Sequence, residues 1–318
     1  MDKETIPSLA LIVPCYNESE IFKHSLNILK NFLNCLVEEK KIRENSYILF
    51  IDDGSEDDSW QQIILASREL SCVRGIKLSR NCGHQVALIA GLSSVDTDIC
   101  ISIDADLQDD IQCIDKMVEK YKQGFEIVYG VRKDRSTDTV FKRGTAILFY
   151  QLMEKMGVEQ IANHADYRLL SYRALQSLLK FKERNIYIRG LIPLLGYKQA
   201  RVYYTRSERL AGESKYPLKK MLGLALEGIT SFSIIPLRII CFIGFITCFI
   251  SLIAIGYILT EKMMGYVVQG WASVLISIFF LGGMQLFSLG IIGEYIGKIY
   301  MEVKKRPKFF IEDTIMKE

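Results

Sequence analysis

The chain has 318 residues, 49% of them hydrophobic and 24% charged, with a formal net charge of +3 and a positive mean hydropathy. That apolar share exceeds what an ordinary soluble domain carries and points to contact with lipid, while so small a net charge gives no electrostatic case for a nucleic acid partner. The eight cysteines show neither zinc-ligand spacing nor a compact disulfide framework, so reduced thiols and a cytosolic catalytic part are expected.

The polar start Met1-Asp-Lys-Glu holds no hydrophobic signal region. Leu9–Val13 is an apolar run ending in Pro14-Cys15-Tyr16-Asn17-Glu18. From Glu18 to about Lys41 the apolar residues Ile21, Leu26, Leu29, Leu33 and Leu36 recur at three- and four-residue spacings, which predicts a sheet-covering helix with Asn17 as its cap. A second apolar run, Tyr47–Ile51, ends in Asp52-Asp53-Gly54-Ser55, where Ser55 and Asp58 form a capping arrangement ahead of Trp60. A third strand at Val73–Leu78 gives way to Ser79-Arg80-Asn81-Cys82-Gly83-His84-Gln85. A helix starting after Gly83 would offer N–H groups and a positive dipole end to a phosphate, and Arg80 would add a fixed charge or else pair with a carboxylate nearby.

The organising stretch follows. Ile101 and Ile103 lead into Asp104-Ala105-Asp106, and on extended backbone that spacing aims both carboxylates to one face. Alone, the pair would read as a solvated strand end. Strand, polar turn and helix repeat upstream, however, and such crossovers build a parallel sheet whose polar clusters share one crevice at the carboxyl ends. Two hard oxygen donors there suit Mg²⁺ or Mn²⁺ holding a substrate's phosphates. Further on come a helix over 111–123, a strand over 125–130 reaching Arg132, a polar segment from Lys133 to Lys142, and the cluster Asn163-His164-Ala165-Asp166-Tyr167-Arg168. Arg206, Arg209 and Lys215 form a cationic set suited to an anionic headgroup.

Ile239–Thr260 and Gly265–Gly293 are runs of 22 and 29 residues without a formal charge, each long enough to span a bilayer. Lys219, Lys220 and Arg238 precede the first and Lys298, Lys304, Lys305, Arg306 and Lys308 follow the second, whereas the stretch between them holds only Lys262 as a base. The positive-inside rule therefore puts both termini in the cytoplasm. Residues 217–235 mix apolar and charged types as an interfacial segment does, and Gly293 with Gly297 hints at close helix packing and a homo-oligomer.

To about residue 230 the chain resembles a family 2 glycosyltransferase with the nucleotide-sugar-binding GT-A fold. Several elements extend that resemblance to nearly the whole chain. They are Ser79–His84, the Asp166-Tyr-Arg-Leu169 element, the loop Gly212-Glu-Ser-Lys-Tyr216, and Gly293-Glu-Tyr-Ile-Gly-Lys-Ile-Tyr300 followed by Arg306-Pro307. So read, the chain is similar to the polyprenyl-phosphate glycosyltransferases of the bacterial undecaprenyl-phosphate glucosyltransferase type, related to dolichol-phosphate-mannose synthase.

The resemblance implies an α/β GT-A domain with a mostly parallel sheet over 1–216, juxtamembrane interfacial helices over 217–236, two transmembrane helices within 237–300 (about 237–260 and 267–293), and a cytosolic tail over 301–318. It implies that Pro14, Tyr16 and Glu18 border the nucleotide, that Asp52 or Asp53 reads the base, and that Arg80, Gln85, Asp104, Ala105, Asp106, Gln108 and Arg132 line the donor. Asp106, Asp104 and Gln108 would hold Mg²⁺ or Mn²⁺, Asp166 would act on the acceptor as base or orienting group, and Arg168, Arg206, Arg209 and Lys215 would hold the acceptor phosphate. The implied reaction is inverting transfer of a hexose, glucose from UDP-glucose before all, to undecaprenyl phosphate at the inner membrane of a bacterium, supplying cell-surface glycan such as O-antigen lipopolysaccharide. GDP-mannose, UDP-GlcNAc, UDP-GalNAc or an aminoarabinose donor are alternatives, as is a non-catalytic membrane scaffold. A processive polysaccharide synthase is disfavoured, because neither Trp60 nor Trp271 follows an arginine as that group's Gln-x-x-Arg-Trp motif requires.

Overall fold

The computed structural model describes residues 6–133, 164–183, 187–205, 235–264 and 270–316. The chain divides into two units, the first comprising residues up to Tyr150, Gln160–Lys215 and Arg306–Glu318, the second Gln151–Glu159 and Tyr216–Lys305.

The first unit is built on a sheet whose described strands are β1 (Leu9–Cys15), β2 (Tyr47–Asp52), β3 (Val73–Leu78), β4 (Ile99–Ser102), β5 (Ile127–Arg132), β6 (His164–Ser171), β7 (Gln199–Tyr204) and β8 (Ile311–Ile315). Their order is β7-β5-β6-β4-β1-β2-β3-β8. The block β3-β2-β1-β4 is parallel throughout, β6 runs antiparallel between β4 and β5, and β8 runs antiparallel along β3. This is the mostly parallel α/β sheet expected of a GT-A domain. Every residue of β1 and of β2 is buried, which is why these segments read as unbroken apolar runs rather than alternating ones. Helices α1 (Ser19–Glu38), α2 (Ser59–Glu69), α3 (His84–Ser93) and α4 (Cys113–Lys122) follow the first four strands, and α5 (Tyr172–Leu178) and α6 (Ile188–Leu191) follow β6. From α1, Leu26, Leu29, Leu33 and Leu36 enter the core with Phe22, whose ring meets Phe50 of β2 at 4.9 Å.

The helix starts are not made by the residues the local pattern suggests. Asn17 has φ 53 and accepts from the Glu56 N–H instead of capping α1. Ser55 and Asp58 give α2 no side-chain cap. Asp57 serves both helices, its two carboxylate oxygens taking the N–H groups of Ser19 at 3.1 Å and Ser59 at 3.0 Å. For α1 the acceptor comes from another loop, 38 positions away, and so leaves no trace in the spacing along the helix's own segment.

The second unit contains helices α7 (Ile235–Met263) and α8 (Trp271–Val303). Among the described residues, no helix is long and apolar enough to cross a membrane. Positions 251, 252, 271 and 272 are among several inside these helices whose side chains fall outside the description. The interfacial segment expected over 217–236 lies outside the described residues up to position 234, and so does the polar segment 134–142.

Candidate active site

The carboxyl ends of β1, β2, β3 and β4 open on one side of the sheet, and the sequence-predicted donor residues gather there. Past β4 the chain turns sharply: Leu107 has φ 43, its N–H donates to the Asp104 carbonyl, and the Gln108 N–H reaches Asp106 Oδ1 at 3.3 Å. The Ala105 carbonyl accepts from Ser25 Oγ of α1 at 2.7 Å, so this turn is tied to the helix behind it. Burial raises the Glu18 carboxyl above its ordinary value, and the charges of Asp106, Asp57 and Asp104 add to that rise. Burial likewise pushes Asp104 up to about 6, with Asp109, Asp166 and Asp106 contributing and His84 opposing. Clustered carboxylates whose charges add to the rise of Glu18 and Asp104 make a setting that suits a cation. No group of three or more metal-ligating side chains is assembled among the described residues, yet one or two carboxylates completed by substrate phosphates and water is how Mg²⁺ is commonly held. Asp104 and Asp106 fit that mode. The Gln108 side chain, expected as a third ligand, is buried.

The two aspartates after β2 separate in role. Asp52 is fully buried, its Oδ2 accepts the Ser55 N–H at 3.3 Å, and burial raises its carboxyl. Its Oδ1 is buried without a hydrogen-bond partner. Asp53 instead takes the backbone N–H groups of Cys82 and Gly83, both at 2.8 Å, and so fixes the loop between β3 and α3. Gly54, at φ +69, lies under the same loop, where a Cβ would come within 2.5 Å of the Arg80 carbonyl carbon. Arg80 itself is exposed on that loop, and Tyr16 is exposed at the end of β1. Pro14 stands in β1 opposite Ile51.

Asp166 is the hub of a charged cluster. It lies on β6, antiparallel to β4, and Ser102 Oγ bonds its carbonyl oxygen. Its carboxylate is held by Arg168 and, in two-pronged fashion, by Arg189, whose Nε and Nη2 lie 3.2 and 3.1 Å away. His84 Nε2 stands 3.6 Å from both Asp166 and Asp104, joining the two carboxylates. Burial alone would raise Asp166, but Arg168, His84 and Arg189 together hold it well below the usual carboxylate range. Such a carboxylate is a poor proton acceptor and a strong anchor.

Some expected contacts are redirected. The Arg168 side chain is 2% exposed, so it serves Asp166 and is closed to an incoming acceptor. Gln85 Oε1 accepts the Ile188 N–H at 3.0 Å, docking α6 on α3. Arg132 bonds Asp109 and Tyr204, the latter two being joined as well. Arg206, Arg209 and Lys215 lie outside the described residues. Arg189 and His84 were not singled out from sequence as working residues. His84 carries only its place in the Ser79–His84 element, and the pairing of β6 with β4 together with the docking of α6 on α3 brings Asp166 between the two.

A family profile described as Glycosyl transferase family 2 matches residues 10–180. The Bacillus subtilis protein named "Uncharacterized glycosyltransferase YkoT" is 50% identical, the match covering 99% of this chain and 94% of that one. The "Prophage bactoprenol glucosyl transferase homolog" of Escherichia coli is 39% identical over 96% of this chain and 98% of its own. The "SfII prophage-derived bactoprenol glucosyl transferase" of Shigella flexneri is 40% identical with the same coverage. Among solved structures, a mannosyltransferase from Pyrobaculum calidifontis in complex with GDP-Man and Mn²⁺ aligns with TM-score 0.48 and 14% identity over 93% of this chain and 88% of that one, a likeness too slight to argue from.

Proposed function

The chain belongs to glycosyltransferase family 2, and from that membership we propose that it transfers glucose from UDP-glucose to undecaprenyl phosphate, with inversion, at the cytosolic face of a bacterial inner membrane. One observation carries the reading: relatives named bactoprenol glucosyl transferases match at 39 and 40% identity over 96% of the chain, through both C-terminal helices as well as the catalytic domain. A donor domain shared by many transferases would not by itself extend the match to those helices.

In this reading the uridine enters at the ends of β1 and β2, where Asp52 Oδ1 accepts from the base and Tyr16 borders it. Arg80 and the N-terminus of α3 face the diphosphate. Asp104 and Asp106 would hold Mg²⁺ or Mn²⁺, which when bound supplies charge neutralisation for the leaving diphosphate. The acceptor is a phosphate monoester with a second pKa near ~6, so it arrives largely as a dianion and needs no base. Its oxygen attacks the anomeric carbon, the bond to the diphosphate breaks, and UDP leaves. Asp166, kept ionised, aims Arg189 rather than taking a proton. Positioning and charge supply the rate. Arg206, Arg209 and Lys215 are proposed for the lipid phosphate.

The membrane assignment rests on the two uncharged runs in 239–260 and 265–293 and the basic residues outside them. Large apolar side chains on α7 and α8, Phe245 at 71% and Leu286 at 72% among them, are exposed and would meet lipid chains. The test is the full-length protein in detergent or nanodiscs with undecaprenyl phosphate and a panel of UDP- and GDP-sugars. A glucosyl lipid formed from UDP-glucose before the other donors is expected. Absence of a glycosyl lipid with every donor would overturn the proposal in favour of a non-catalytic scaffold, and preference for another sugar would overturn the glucose assignment.

A further inference from the structure

The last strand of the chain is an odd member of the catalytic sheet. β8 follows the two C-terminal helices in sequence, yet it pairs antiparallel with β3, placing Ile315 opposite Gly75, Thr314 opposite Ile76, Asp313 opposite Lys77 and Ile311 opposite Leu78. Of its five residues four are exposed and the fifth is half-buried. A strand that buries so little apolar surface adds little to the core. What it does touch lies beside the donor crevice.

Two lines of contact lead from the tail to the nucleotide residues. At its start, the Phe310 carbonyl accepts the N–H of Ser79 at 3.0 Å, and Ser79 is the first residue of the loop that carries Arg80. The far end of that loop is the one held by Asp53 through Cys82 and Gly83. The Arg80 loop is therefore fastened at one end by an aspartate of the β2 turn and at the other by the C-terminal tail. The second line runs through Glu312. The register skips it, so it is the extra residue of a bulge, a device common where a sheet edge borders a site. Its carboxylate lies 3.1 Å from Lys77 Nζ. Lys77 stands opposite Asp52 across the β2–β3 pairing and its charge lowers the Asp52 carboxyl against the dominant effect of burial.

We infer that the C-terminal strand is a positioning element of the donor site, bracing the Arg80 loop through Ser79 and holding the Lys77 ammonium through Glu312, so that nucleotide-sugar affinity depends on the tail. This rests on the donor reading given above. The parallel pairing of β3 with β2 is independent of the tail, so the catalytic sheet keeps its core without β8.

The experiment compares UDP-glucose binding by calorimetry, with Mg²⁺ present, for the full-length chain and a chain ending at Lys305. Loss of the tail is expected to weaken binding about tenfold, with recovery on adding a peptide of residues 306–318. KM for UDP-glucose should rise in parallel while kcat stays within about twofold, a split that general destabilisation would not give. Should the truncated chain fail to fold, Lys77→Glu and Glu312→Lys decide instead. Each alone should weaken UDP-glucose binding and the double exchange should restore part of it. Equal affinity with and without the tail, or in all three charge variants, overturns the inference while leaving the donor reading intact. A full-length chain that binds no UDP-glucose overturns both.

Discussion

Replacing Asp166 by asparagine tests whether this carboxylate is an anchor or a base. The side chain keeps its size but loses the charge that Arg168 and Arg189 share. Arg168, 2% exposed, would then be buried opposite a neutral amide. Removing one partner of a buried pair costs about 3 kcal/mol, the lower end of the usual range. At about 3 °C per kcal/mol for a domain of this size, Tm should fall by about 9 °C. Arg189 loses two charge-assisted bonds, and if about 3 kcal/mol of its alignment is lost in the transition state, kcat falls about a hundredfold. The decisive assay is the rate of glucosyl-lipid formation by Asp166→Asn between pH 7 and 9, with Tm measured on the same preparation. The acceptor is already ionised over this range, so a nearly flat profile is expected. A rate climbing about tenfold per pH unit with unchanged Tm would show that proton abstraction limits the reaction and refute the anchoring role.

Gly54→Ala should disturb the Arg80 loop, because at φ +69 the new Cβ meets the Arg80 carbonyl carbon at 2.5 Å. A loss of about 2 kcal/mol and weaker UDP-glucose binding are expected from denaturation and calorimetry. Asp57→Ala removes the acceptor at two helix starts and should cost about 1–2 kcal/mol in urea unfolding. Although partial burial works the other way, hydrogen bonds to Ser59 and Ser19 pull Asp57 down to about 2. Its unfolded value is about 3.9, so its contribution is complete above about pH 4 and fades as pH falls toward 2. An acid titration of stability in which the wild type and Asp57→Ala fail to converge would contradict this. Asp106→Ala and EDTA should each abolish turnover with the fold intact by circular dichroism, and full activity in EDTA would remove the metal assignment. A reporter fused after Glu318 should lie in the cytoplasm; a periplasmic signal would mean an odd number of spans.

The sequence alone located the strands of the parallel block, though not their order in the sheet. A strand buried on both faces must be apolar throughout, so β1 and β2 announce themselves as runs, and Val73–Leu78 is read to the residue. Asp104 and Asp106 were legible as a carboxylate pair closing an apolar run, but β4 ends at Ser102 and a turn from Asp104 to Leu107 carries both, so the turn and not strand alternation sets their directions. Tertiary structure decided everything that depends on segments distant in the chain. Asp57, local to the start of α2, also takes the Ser19 N–H of α1 from 38 positions away, and Asn17 is drawn instead to Glu56 across 39 positions. Arg168, a cation in a suitable motif, becomes a buried counter-ion because its strand pairs in the sheet interior. Gln85 Oε1 takes a backbone N–H of α6, 103 positions later. The tail could be read as a polar cytosolic end, but its place as a sheet edge depends on β3 offering unpaired backbone groups, and no periodicity within residues 301–318 records that offer.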